Sequence, residues 1–478
     1  MEVRKILEKM GYTNLLGSDW YKYVKVWLEW YEGKTAFHKY IVYNGQSNIS
    51  CTRKTLGMAK KVAEDKADLL LNEKVGIFVS PTVAAAEGEV QANPVQEYVD
   101  KVLKANNFWV RGNQLVELAN ALGTGAFVEY LEDKDVCIDY IPATCIWPLS
   151  WKNGNITECA FASSFTLGKG KPKTYIQRHV IENGQYTIYN DLFSCDGKPE
   201  ELPEGLLPVF NTGSKTPLFQ IITPNVVNNI DIINPMGVSI YANSVDVLED
   251  VDLVFDSYFN EFKLGKKRIF VDDTVVKTDI KDGKLIPIFD PNDTVFYGIP
   301  GKQGGNTKAI EESNMDLRVE AHKTALQDSL DILSDKCGFG KGYYKFDTDD
   351  VQTATAVISQ NSKLFRKIKK DEIILNAALE NMTRAVLFLG GMNTEVDISV
   401  SFDDSIIEDT NAIANRAMLE LQEDIIDAVV YMMRVYGMTE EAAIAFVKKI
   451  AERKAPAPTP PPDPNANPFG GEEDVITE

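Results

Sequence analysis

Reactive groups are sparse in this chain, and their spacing decides what chemistry they can do. The three histidines, His38, His179 and His322, stand far apart. That supply is thin for general-base or metal chemistry, and each reads as a structural residue. The six cysteines, Cys51, Cys137, Cys145, Cys159, Cys195 and Cys337, include no CxxC pair. A zinc site needs four convergent ligands, usually arriving in close pairs, so these read as reduced, mostly buried thiols and no metal site is expected. The adjacent acids Asp349-Asp350 and Asp403-Asp404 have the character of caps and solvated loops rather than of an acid/base pair. No GxSxG, HExxH, Walker or strand-borne GxGxxG spacing occurs, and Gly301-Lys-Gln-Gly-Gly305 lacks the GxxxxGK[ST] order of a phosphate loop. Neither a catalytic residue nor a cofactor is expected.

The remaining chemistry is cationic. Lys363, Arg366, Lys367, Lys369 and Lys370 form a run with no acid among them, which reads either as a solvated helix face or as a contact with DNA or a neighbouring subunit. Lys263, Lys266, Lys267 and Arg268 cluster where a helix should end, and cations there meet the negative end of its dipole. Lys341 and Lys345 share a short segment with Gly338, Gly340 and Gly342. Lysine offers a hydrated point charge that exchanges quickly, unlike the bidentate grip of arginine, and glycines give the segment backbone freedom.

These clusters sit in an acidic chain. Its 478 residues carry a net charge of −20, the opposite of the basic footprint that marks a protein gripping phosphates, but compatible with a surface past which DNA slides. Residues 401–478 hold 16 acids against 6 bases, half of the whole excess. With 44% hydrophobic and 25% charged residues the composition is globular, and the length implies two to four structural regions. No run of about eighteen apolar residues predicts a membrane span, and Met1–Met10 alternates charged and apolar residues rather than forming a signal-peptide core. The chain is therefore expected to stay in the compartment where it is made.

Periodicity supplies the elements that must position the clusters. Trp20, Val24, Trp27 and Tyr31 recur at helical spacing behind a possible cap at Ser18 or Asp19. They read as an aromatic face on a core, since no basic interleaving supports stacking on bases. Residues 54–73 predict a helix with Leu56, Ala59, Ala63, Ala67 and Leu70 inward and Lys60, Lys61, Glu64, Asp65, Lys66 and Asp68 outward, followed by a strand over 74–79. Residues 94–121 predict two helical pieces around Asn106-Asn107. Period-two segments at 126–131, 136–141, 145–148, 160–166, 174–181 and 186–189 predict one antiparallel region, and 196–240 an extended connection. A helix over about 242–265 leads to a small β unit (268–271, 275–278, 285–289, 295–297). A second helix is expected over 311–336, and a long one over 351–389 capped by Asp347-Thr-Asp-Asp350. A helix of that length suggests a strut or a kink. A strand over 395–402, helices near 408–436 and 439–453, and a Pro-rich acidic tail complete the chain.

The order of these elements resembles the portal proteins of tailed bacteriophages, in the family typified by portals of Gram-positive siphophages. So do three stretches: Trp27-Leu-Glu-Trp-Tyr-Glu-Gly33 with His38; Leu56-Gly-Met-Ala-Lys-Lys-Val-Ala-Glu-Asp-Lys-Ala-Asp-Leu-Leu70 before Asn72-Glu-Lys74; and Val351-Gln-Thr-Ala-Thr-Ala-Val-Ile-Ser-Gln-Asn-Ser-Lys363. Together they cover the chain from about 20 to 400. The resemblance implies an α+β, portal-type fold with an α/β wing (1–241 and 351–402) and a two-helix stem (242–265 and 311–337). It further implies a small β-containing clip (266–310), a tunnel loop (338–350), a long kinked helix and a helical C-terminal crown (403–453), with the tail over 454–478. It also implies a twelve-subunit homo-oligomeric ring at one capsid vertex of the virion, assembled in the host bacterial cytoplasm. Double-stranded DNA would pass through it, and terminase, capsid or scaffold and head-completion proteins would dock on it. Lys341 and Lys345 would then touch the passing DNA. The rival reading is a non-channel structural or adaptor protein of a virion.

Overall fold

The computed structural model describes residues 3–43, 45–80, 93–166, 171–266, 268–272, 278–281, 284–287, 296–299, 310–345, 354–402, 410–423, 425–436, 438, 443–444 and 446–450. The chain divides into a large unit, residues 1–406, and a small one, 407–478.

In the large unit, helices α1 (Val3–Lys9) and α2 (Trp20–Tyr31) precede a hairpin of β1 (Lys39–Tyr43) and β2 (Asn48–Thr52). Trp20, Val24, Trp27 and Trp30 form the buried face of α2. Trp30 takes the inner place expected of Tyr31, whose hydroxyl instead donates to Glu117 at 2.6 Å. Asp19 occupies the cap position without a capping hydrogen bond. Helix α3 (Met58–Leu70) packs on α5 (Phe108–Leu122), and α4 (Pro94–Ala105) joins them. The division of the 94–121 segment falls at Asn106-Asn107, where Asn107 adopts φ 49°.

The β region is two sheets rather than one. Strand β3 (Gly76–Val79) lies apart from both of them. Strands β4 (Gly125–Glu132) and β5 (Asp135–Pro142) form one sheet. Strands β6 (Ile146–Lys152), β7 (Asn155–Phe165), β8 (Lys173–Glu182) and β9 (Gln185–Ser194) form the other. The β6–β7 and β8–β9 turns are Asn153-Gly154 and Asn183-Gly184, all at positive φ, the backbone that two-residue hairpins demand. Residues 196–240 are not merely extended. They contribute β10 (Pro199–Glu200) and β11 (Val209–Asn211) to the edge of β9, and β12 (Phe219–Ile222) pairs with β4. The following loop returns to α5. Gly123 and Gly237 pass so closely that a Cβ on either would meet the other's carbonyl oxygen at 2.3 Å.

Helix α6 (Val245–Leu264) buries two acids. Asp252 receives His38 Nε2 at 2.8 Å and the Leu56 N–H at 2.8 Å, while Asp256 receives the Lys54 N–H at 3.0 Å. The strap from β2 to α3 is thus hydrogen-bonded along α6. A small β unit follows. Strand β13 (Arg268–Asp272) lies between β16 (Phe296–Ile299), parallel to it, and β17 (Ile310–Ser313), antiparallel; β14 (Thr278–Lys281) pairs with β15 (Lys284–Pro287). Helix α7 (Val319–Cys337) packs on α6. It begins later than expected, because 310–313 is a strand. Helix α8 (Ala354–Leu389) packs on α3, α4, β4, β12 and β18 (Ile398–Ser401), and β18 pairs antiparallel with β3. The proposed cap at 347–350 lies outside the described residues. In the small unit, the helix expected over 408–436 is two, α9 (Thr410–Gln422) and α10 (Ala428–Tyr436), with Asp427 accepting the Val430 N–H at 2.7 Å. Of 439–453, residues 443–444 and 446–450 are described and helical. The tail lies outside the described residues.

Further ionisable groups are buried in the core of the large unit. Lys66, expected outward, is 1% exposed and lies 2.7 Å from Asp371 of α8, itself 3% exposed. Burial pushes the Lys66 ammonium pKa below its ordinary value, against the opposing pull of Asp371. Glu129 of β4 is fully buried; burial pushes its pKa up to about 8, against the weaker opposing pull of its own backbone N–H and of Gln220.

Breaking a buried pair strands the remaining charge, at a cost of about 3–5 kcal/mol. Lys66→Met is expected to cost about that much in urea unfolding of the full chain, and Lys66→Met/Asp371→Leu to recover most of it. Glu129 behaves differently. As pH rises from its ordinary range near 4.5 to about 8, an unfolded chain releases the proton that the folded chain keeps, so stability falls across that window. Glu129→Gln should flatten this slope and raise the melting temperature at pH 8; an unchanged slope would show that Glu129 is not its source.

Candidate functional site

The cationic groups singled out by sequence fall at three places in the large unit. The first is the turn after α7. Gly338 closes that helix at φ 90°, and its N–H and that of Phe339 return to Asp335 and Ser334 at 3.2 and 2.9 Å. Phe339 is buried, with the rings of Tyr343 and Tyr344 at 4.7 and 5.7 Å. Gln327 Nε2 donates to the Tyr344 carbonyl at 2.8 Å. Gly340 and Gly342 also lie at positive φ, 91° and 80°, which lets the backbone reverse around this anchor. The loop is therefore pinned by its aromatic side and presents its lysines outward. Lys341 is 78% exposed, with Asp331 at 3.9 Å, and Lys345 is exposed. Residues 346–350 of the expected tunnel loop lie outside the described residues.

The second place is the start of the described part of α8, where helical geometry splits the basic run. Lys363, Arg366 and Lys370 are exposed, whereas Lys367 and Lys369 are half-buried. Lys363 forms an ion pair with Asp335 of α7. The Lys367 stem lies against Gly338, so that a Cβ there would meet its Cγ at 3.0 Å. Lys369 bonds Glu372 at 3.0 Å and lies 5.5 Å from the Phe365 ring. One turn further, Asp371 faces inward to Lys66 and accepts the Asn225 N–H at 2.9 Å.

The third place is the junction of α6 with the small β unit. Lys263 and Lys266 are exposed. Lys267 lies outside the described residues, and of Arg268 only the backbone, in β13, is described. Sequence reading missed the ion pair that closes this junction. Arg318 donates to Glu261 through Nε at 3.0 Å, Nη2 at 2.8 Å and its own N–H at 3.1 Å, holding the Glu261 carboxyl down to about 2. His322 stands 3.6 Å from the same carboxylate. The partners are 57 residues apart, so no local pattern joins them. The Lys66–Asp371 pair did leave a local sign, because Lys66 continues the Ala59, Val62, Ala63, Leu70 stripe.

These three places are surfaces and junctions rather than enclosed pockets. Among the described residues no group of three or more His, Cys, Asp or Glu could hold a metal ion. The six cysteines form no disulfide. His38 is tied to Asp252, and burial among Phe161 and Phe219 pushes His179 down to about 3. No described helix is long and apolar enough to cross a membrane. What the arrangement offers is charge on a rigid frame: outward lysines on a pinned loop, an outward basic edge on α8, and two helices clamped where they meet a β unit.

Comparison with known proteins accounts for this frame. No curated protein matches the chain. The family described as phage portal protein, SPP1 Gp6-like, matches residues 19–457, from the aromatic helix α2 through the small C-terminal unit. That family is structural rather than enzymatic and implies a virion capsid vertex. The chain belongs to the SPP1 Gp6-like family of phage portal proteins.

Proposed function

We propose that this chain is the subunit of a closed ring, of twelve copies in the family pattern, that forms the channel for packaging and ejection of viral DNA. The observation that carries the reading is the family match over 19–457. In this reading the wing is built by 1–241 with 351–402, the stem by α6 and α7, the clip by 266–310, the tunnel loop by 338–350 and the crown by 403–453. Terminase, capsid or scaffold and head-completion proteins dock on the ring.

The physics of the site supports it. The outer sides of α6 and α7 expose Leu253, Phe259, Phe262, Leu264 and Ile332, apolar surface that side-by-side copies can cover. A contact between unlike faces that closes on itself gives such a ring. Sequence-independent phosphate contacts let DNA slide, and few of them are needed where a fixed grip is not. A chain of net charge −20 with exposed lysines on a pinned loop gives weak, repeated contacts. Lys341 and Lys345 are the residues assigned to that contact. Arg366 and Lys370 are a second candidate, and the Lys263–Arg268 cluster lies at the stem–clip junction.

Electron micrographs of the purified full chain should show rings with a central opening. A monomer at every concentration, or an open assembly without a hole, would instead favour a non-channel adaptor. Lys341→Ala/Lys345→Ala should leave ring formation intact, because both side chains are exposed, and should change the amount of DNA packaged or retained. Normal packaging by such rings would remove these lysines from the DNA contact, and loss of rings would make the loop a subunit interface.

A further inference from the structure

The β1–β2 hairpin has a bare tip on an anchored base. Among the described residues its two strands pair only with each other, and a lone two-stranded ribbon is marginal in water unless something covers it. Ile41 and Tyr43 are 68% and 67% exposed on one face; the cross-strand pair Val42–Ile49 is 43% and 44% exposed on the other. All described residues from 41 to 50 are exposed. The base, by contrast, is fixed. The Arg53 guanidinium lies over the rings of Phe37 and Tyr40 at 4.5 and 4.4 Å and donates to the Phe37 carbonyl. Lys54 Nζ lies 4.0 Å from the Phe259 ring, and the strap just beyond is bonded to Asp252 and Asp256 of α6.

Charge says what covers the tip. Between Glu32 and Glu64 there is no acid, but there are six cations. Lys34 pairs with Glu32, Lys60 with Glu64 and Glu117, and Lys61 with Asp65 of the same chain, while Lys39, Arg53 and Lys54 stand at the base of the hairpin. The other residues of the chain hold 44 basic against 70 acidic side chains. The surface most complementary to this cationic, aromatic segment is therefore another copy of the same chain. Residues 40–50, Tyr-Ile-Val-Tyr-Asn-Gly-Gln-Ser-Asn-Ile-Ser, carry no cation, so the tip lacks the charge that dominates affinity for a phosphate backbone. An apolar and aromatic tip beside a cationic base has the composition of a protein interface, where charges set register and the buried centre supplies affinity.

We propose that the β1–β2 hairpin is an arm that docks on an adjacent copy, its Ile41, Val42, Tyr43 and Ile49 tip burying apolar surface there while Lys39, Arg53 and Lys54 at its base face acids of that copy. The contact is head-to-tail and repeats around the assembly. The inference rests on the ring reading above and adds the element that joins one copy to the next.

The test uses the full chain and Ile41→Glu/Tyr43→Glu, which puts acids at two exposed positions. Circular dichroism and the melting temperature of the dissociated protein check the fold. Ile41→Ser/Tyr43→Ser replaces this variant should the paired acids disturb the hairpin. Assembly is followed by mass photometry over a concentration series, and binding to a short DNA duplex by fluorescence anisotropy. The expected result is a wild type that assembles and a folded variant whose assembly needs at least tenfold more protein. A variant that assembles like wild type overturns the docking inference and leaves the ring reading standing. A wild type that never assembles removes both. Intact assembly with weakened duplex binding reassigns the arm to DNA and equally overturns the proposal.

Discussion

The large unit is organised around one buried carboxylate. Asp371 on α8 meets Lys66 of α3 at 2.7 Å and the Asn225 N–H at 2.9 Å, joining three segments far apart in sequence. The neighbouring Lys370 carbonyl accepts from Asn225 Nδ2 at 2.7 Å, so the loop before α6 is bonded to the same turn. An ion taken out of water costs several kcal/mol unless an opposite charge stands beside it, and the need to keep Asp371 next to Lys66 leaves few rotations of α8 about its axis. Once Asp371 points inward, Lys367 must lie against Gly338 and Arg366 and Lys370 must face solvent. The charge pair thereby sets which side of the basic run is available to a partner and fixes one wall of the glycine loop.

Most elements were legible because their signals are local. The aromatic face of α2 and the break at Asn106-Asn107 each follow from periodicity or turn chemistry within a few residues. What failed was long-range or ambiguous. Nothing near Phe219–Ile222 indicates that it pairs with β4, a strand some ninety residues earlier, so one β region was expected where two sheets exist. The start of α7 was set too early, since 311–318 has no feature that separates a short strand from a helix end. Lys66 was placed outward by its charge, although its position in the stripe pointed inward. Packing overrode polarity there because Asp371 supplies the partner. At the candidate site, the exposure of Lys341 and Lys345 was legible from the glycines around them. The buried Phe339 that pins the loop and the Arg318–Glu261 clamp depend on contacts that only the folded chain makes.

Glycine and aromatic residues divide the work in the 338–345 loop. The three glycines allow positive φ, and Phe339 removes the freedom that they would otherwise confer. A loop held this way presents the exposed side chains of Lys341 and Lys345 in a narrow range of positions. That combination suits a transient contact, because the anchor sets where the charge lies and the hydrated ammonium limits how long it holds. Arginine at the same positions would add bidentate geometry and with it residence time.

The acidity of the chain sets a condition on any assembly it forms. Copies with a net charge of −20 repel one another, and that repulsion grows as salt is lowered and the screening length increases. A closed assembly must offset it with apolar contact and with local patches of opposite sign. In the proposed ring the exposed apolar residues of α6 and α7 would provide the first, and Lys39, Arg53 and Lys54 at the base of the β1–β2 hairpin the second. Screening has opposite effects on the two electrostatic terms: it relieves the general repulsion and weakens the specific attraction. Assembly built this way should therefore be most favourable at intermediate ionic strength, where general repulsion is damped over longer distances while close, partly desolvated pairs persist.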